Sequence, residues 1–171
     1  MNKRPKLVIL DTMNFWMDSA WDILMDMIAK TDVITINDEE ARQLSGEYSL
    51  VKAAKKIHTM GPDYVIIKKG EHGALLFHDN KVFAIPALPL EEVFDPTGAG
   101  DTFAGGFAAY LAKKGKFDFE TMKSALIVGS AMASFTVEKF GTERIQEVNE
   151  ADMFSRLRQF KELTTFDVEL Q

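Results

Sequence analysis

Residues 95–106 read Asp95-Pro96-Thr97-Gly98-Ala99-Gly100-Asp101-Thr102-Phe103-Ala104-Gly105-Gly106. The turn dipeptide Asp95-Pro96 leads into a glycine-rich helix start that carries a carboxylate. A helix N-terminus presents unpaired backbone N–H groups and the positive end of the macrodipole, and the small residues Gly98, Ala99 and Gly100 let a phosphate approach that backbone closely. A carboxylate beside a bound anion is electrostatically unhelpful. Asp101 therefore points to a second task, accepting the proton of a hydroxyl that attacks a phosphoryl group. The plainer alternatives are that Asp101 is a helix-start residue favoured by the dipole and that the glycines serve tight packing.

Working outward, the C-terminal remainder reads as helix over 101–114, 119–140 and 149–163. Phe103, Phe107, Tyr110 and Leu111 recur at helical spacing and belong to a core rather than a stacking platform. Upstream, Leu7-Val8-Ile9-Leu10, Val33-Ile34-Thr35-Ile36 and 64–67 are apolar runs expected to be buried strands. Between them lie helical stretches at 19–30, with Ile23, Met27 and Ile28 inward, at 38–44, closed by Gly46, and from Ser49 as cap to Met60 before Gly61-Pro62. Strand and helix alternating through short connections predict a parallel sheet with covering helices. His78-Asp79-Asn80-Lys81 between two apolar runs signals a hairpin that adds antiparallel strands at an edge. With no repeat, low-complexity tract or linker, 1–171 reads as a single domain of the α/β class.

The 171 residues are 46% hydrophobic and 27% charged, an ordinary globular composition. A formal net charge of -6 without a basic block argues against nucleic acid and anionic membranes as partners, while leaving a small anionic ligand open. The absence of cysteine excludes disulfides and thiolate metal sites and agrees with a reducing, cytoplasmic setting. The apolar run after the basic start is too short for a signal peptide, and the apolar stretch at 125–137 is interrupted by Gly129, Ser130, Ser134 and Thr136. His58, His72 and His78 have no metal-ligand spacing.

The stretch at 95–106 resembles the C-terminal signature of the PfkB/ribokinase family of carbohydrate kinases. The resemblance continues, in the family's order, through Asn37-Asp38-Glu39-Glu40, Lys68-Lys69-Gly70-Glu71-His72-Gly73-Ala74 and Val137-Glu138-Lys139-Phe140-Gly141-Thr142. It implies a ribokinase-like three-layer α/β/α fold with a mostly parallel sheet and an antiparallel edge hairpin, and ATP-dependent phosphorylation of a sugar hydroxyl. Under it, Asp101 resembles the catalytic base and Gly98, Ala99 and Gly100 the anion hole. Asn37 and Glu40 resemble the pair that organises Mg²⁺ and phosphates through water, with a helix-capping Asn and a solvent-facing Glu as the alternative. Lys68 resembles a phosphate-facing strand end, Gly70 and Gly73 the nucleotide loop, and Ser130, Gly129 and Gly141 the adenine pocket. Lys68 also reads as a solvated strand end and Ser130 as a packing residue. Asp95 and Thr97 match positions that serve a monovalent-cation site, K⁺ by type, although Asp95 also suits a turn cap. Asp11 and Asn14 follow the first strand on the sheet edge that carries Asn37.

Family members carry an N-terminal half before the strand at Leu7, with a glycine-glycine signature, much of the sugar pocket and a small β lid, and the sequence does not contain it. The expected chain is thus the nucleotide and catalytic portion, with self-association through the sheet near Leu7 to Leu10. Two other readings stay open: a non-catalytic nucleotide-binding or assembly module, and a kinase whose acceptor is a nucleoside or a hydroxymethylpyrimidine.

Overall fold

The apolar runs do form strands. The computed structural model describes residues 4–168, in which β1 (Ile9–Asp11), β2 (Val33–Asn37), β3 (Tyr64–Lys68), β4 (Ala74–His78) and β5 (Lys81–Ile85) lie side by side in that order in one sheet. β1 pairs with β2 and β2 with β3 in parallel, and β3 pairs with β4 antiparallel. The turn Asp79-Asn80 then leads into β5, a two-residue connection that only antiparallel neighbours permit. The sheet is therefore mixed, with the expected hairpin at one edge and β1 at the other.

The chain divides into two compact units. The first, running to Gly70 and including Ala74–Ala84, holds the sheet with α1 (Asn14–Ser19), α2 (Trp21–Ile28), α3 (Asp38–Ser45) and α4 (Leu50–His58). Its core takes alternate strand residues Ile34, Ile36, Val65, Ile67 and Phe77 and packs them on Leu24 and Ile28, Ala41 and Leu44, and Ala53, Ala54 and Ile57 from the helices. The intervening strand residues Val33, Thr35, Ile66 and Leu76 are buried too, which is why the runs read as continuously apolar.

One expected helix differs. The helix expected over 19–30 is α2, Trp21–Ile28, and before it stands a short helix that was not expected, α1, separated from it by Ala20 in a non-helical conformation at φ -147°. The Ser19 hydroxyl bonds back to Phe15 O at 2.6 Å, closing α1 locally. Starting α2 at Trp21 puts Leu24 and Ile28, one turn apart, on the core face, and rotates Ile23 and Met27 outward to 70% and 45% exposure. α1 is fastened to α3 by side-chain amides, with Asn14 Nδ2 donating to Gln43 Oε1 and Gln43 Nε2 to Asp18 Oδ1.

The second unit, Glu71–Gly73 with the chain from Ile85, contains α5 (Ala99–Lys114), α6 (Phe119–Thr136), α7 (Glu143–Glu147) and α8 (Glu150–Thr164). Phe103, Phe107 and Leu111 bury one stripe of α5, with Tyr110 only partly covered. The α5–α6 crossing is close: a Cβ on Gly129 would lie 2.8 Å from Phe103 O, and one on Gly106 2.9 Å from Met132 Cγ. α6 ends at Thr136 rather than running to 140, and the carbonyl of Val137, just past its end, accepts the Phe94 N–H at 2.8 Å. α8 begins at an Asn149–Asp152 capping box and is anchored by buried Arg156. That guanidinium donates to Ser134 Oγ at 2.6 Å and to Glu138 and lies 3.9 Å over the Phe135 ring, while Arg144 reaches Glu138 from α7 at 3.0 Å.

Candidate functional site

At the C-terminal ends of the three parallel strands stand Asp11, Asn37 and Lys68, the position at which open α/β sheets present groups to ligands. Asn37 is the N-cap of α3: its Oδ1 accepts the Glu40 N–H at 2.7 Å and Glu40 Oε2 accepts the Asn37 N–H at 2.8 Å, a complete capping box. Glu40 does not face solvent; it is only 5% exposed. Burial raises its pKa from the ordinary value of 4.5, more than the Asn37 N–H bond and the nearby Lys68 ammonium lower it. Lys68 is not a freely solvated strand end either. Its Nζ lies 3.0 and 3.1 Å from the two carboxylate oxygens of Asp11.

The capping box bears on any metal held here. It engages one oxygen of each side chain, and among the described residues no group of three or more His, Cys, Asp or Glu is placed to grip a metal ion. Such a donor set suits Mg²⁺ held through its own waters rather than by direct ligation.

Lys68 is followed by the short 3-10 turn Gly70–His72, with Gly70 exposed. Gly73, at φ +84°, has a backbone reason of its own: a Cβ there would sit 2.0 Å from Ile85 O.

In the second unit, Asp95 accepts the Thr97 N–H at 2.9 Å and caps the turn before Pro96, and that bond holds its carboxyl below the usual carboxylate range. Gly98, at φ +81°, is the N-cap of α5, so the helix starts two residues before Asp101. The Ala99 N–H bonds Pro96 O at 3.1 Å, and the Thr102 N–H bonds Gly98 O. Among the described residues the Gly100 and Asp101 amides take no such acceptor, and the Asp101 side chain in the same first turn is exposed. The amides left open at this helix start are thus those of Gly100 and Asp101 rather than that of Ala99. Ser130 is half-buried on α6, and Gly141, at φ +57°, is exposed. Gly129 is explained by its contact with Phe103.

The partnership of Asp11 with Lys68 is the feature sequence reading did not supply. The residues are 57 positions apart, and only the parallel β1-β2-β3 order brings their side chains together across the end of β2.

The chain matches the profile described as pfkB family carbohydrate kinase over residues 5–149. It is 39% identical over 90 residues to the cytidine kinase of Thermococcus kodakarensis, covering 52% of this chain and 32% of that protein. Against the ribokinase of Haemophilus influenzae it is 34% identical over 123 residues, covering 69% and 38% respectively. Among solved structures, the aminoimidazole riboside kinase from Salmonella enterica, complexed with aminoimidazole riboside and an ATP analog, superposes with a TM-score of 0.76 at 26% identity over 88% of this chain and 52% of that one. The ribokinase from Thermotoga maritima gives a TM-score of 0.71 at 29% identity over 89% and 49%. The chain thus spans about a third of the length of the curated relatives it matches and about half of the solved chains. The fold is ribokinase-like, and with its profile match running over residues 5–149 this chain belongs to the pfkB family of carbohydrate kinases.

Proposed function

We propose that this chain supplies the nucleotide-binding and catalytic-base part of an ATP-dependent kinase that phosphorylates a hydroxyl of a sugar or nucleoside. In the first unit, Lys68 and the Gly70 turn would bind ATP phosphates, and Asn37 and Glu40 would hold Mg²⁺ through water. Bound Mg²⁺ neutralises charge on the transferring phosphate. In the second unit, the Gly98–Gly100 start of α5 would stabilise the phosphoryl group with backbone amides, Asp101 would take the proton of the acceptor hydroxyl, and Ser130 and Gly141 would border the base. The Asp95–Thr97 turn is the proposed place for a monovalent cation. A cytoplasmic setting agrees with the absence of cysteine and with the lack, among the described residues, of a helix able to cross a membrane.

The observation that carries this reading is the start of α5: an exposed carboxylate in the same turn as two amides that take no backbone acceptor among the described residues, in a chain of this family. Its test is transfer from labelled MgATP to ribose, cytidine and fructose 6-phosphate, run on the chain and on the longest product of the reading frame that carries it. Phosphorylation of at least one acceptor supports the reading. ATP binding without transfer by either product would replace it with the nucleotide-binding module.

A further inference from the structure

Asp11 and Lys68 flank β2, since Asp11 is in register with Thr35 and Lys68 with Asn37. Two strand spacings separate them, about 10 Å, and the long lysine side chain crosses that gap to meet both Asp11 oxygens. Both side chains are mostly covered, at 19% and 27% exposure, and Asp11 is held in place by the Thr12 N–H donating to its Oδ1 at 3.0 Å. Glu40 lies close enough to feel both charges. The sheet end therefore sets one ammonium against two carboxyl groups. With Asp11 ionised, the sum is zero or negative in either protonation state of Glu40.

A bare polyphosphate gains no net attraction from such a cluster, whereas one whose charge is partly cancelled by a divalent cation meets far less repulsion. We propose that Asp11 makes this site select the divalent-metal complex of a nucleotide over the free nucleotide, by neutralising Lys68 toward ligands that bring no cation of their own. The inference rests on the nucleotide reading above. Asp11 acts through Lys68 and is a positioning and specificity residue rather than a catalytic one.

Calorimetric titration of the full chain with ATP, in excess Mg²⁺ and in EDTA, tests it on wild type, Asp11→Asn, Asp11→Ser and Asp11→Glu. Asparagine keeps an oxygen for the Thr12 N–H and for Lys68 while removing the charge. Asp11→Asn is expected to raise affinity for free ATP about 5–10-fold and to change affinity for MgATP by less than about twofold, collapsing the ratio between them. Asp11→Glu should restore the wild-type ratio. Asp11→Ser carries the test if circular dichroism shows that Asp11→Asn has lost its fold. An unchanged ratio in the neutral variants, or an equal loss of both affinities, would overturn the inference while leaving the nucleotide reading intact. Failure of wild type to bind ATP in either condition would overturn that reading, and the inference with it.

Discussion

Glu40 shows how one side chain can serve the fold and be costly to it. Its carboxylate completes the α3 capping box, yet burial outweighs that bond and raises its pKa above 4.5. The folded state therefore holds this proton more tightly than the unfolded chain does. The stability it contributes is full below about pH 4.5 and is lost as pH rises through the raised folded value. Glu40→Gln keeps a capping-box side chain and removes the charge. Its expected effect at neutral pH is a higher Tm, with a flatter dependence of Tm on pH above 4.5. Thermal melts from pH 4 to pH 7 measure this, and a slope equal to that of wild type would contradict it. Asn37 and Glu40 were legible as a pair through the family resemblance, one helical turn apart. What spacing could not tell is that Glu40 points inward, because this depends on how α3 packs beneath the strand ends.

At the scale of elements, the α5–α6 crossing and the α8 anchor each rest on a small number of residues. Gly129→Ala would place a methyl 2.8 Å from a backbone oxygen that cannot move aside easily, so a loss of about 1–3 kcal/mol is expected in urea denaturation, with ATP affinity unchanged. Weakened ATP binding at unchanged stability would return Gly129 to the base pocket. Arg156→Ala removes the buried guanidinium's bonds to Ser134 and Glu138 but leaves Glu138 paired with Arg144, which should cost about 1–3 kcal/mol. A loss below 1 kcal/mol would show that the Phe135 stacking and the Ser134 bond do not anchor α8. Long periodic segments such as α5 and the apolar strands were readable in the sequence because burial imposes their pattern. The six-residue α1 and the five-residue α7 were not, since helices that short leave no periodic trace.

At the scale of the whole molecule, the described β1 pairs only with β2, and beside it a groove of about 170 Å³ runs past Leu10, Trp16, Ile23 and Met27, with Ile23 70% exposed. An open strand edge with an apolar rim favours association. Light scattering is expected to show concentration-dependent self-association that Ile23→Lys reduces; a stable monomer at every concentration would contradict this. Because the chain covers about half of the solved relatives' chains, it is expected by itself to bind MgATP and to phosphorylate none of the three acceptors. The central claim, that Asp101 is the base of a phosphoryl transfer, is tested most directly by measuring MgATP affinity and acceptor turnover side by side for wild type and Asp101→Asn, in the longest product of the reading frame. The account predicts ATP affinity little changed and turnover reduced by roughly 10²–10⁴; turnover equal to wild type in Asp101→Asn would contradict it.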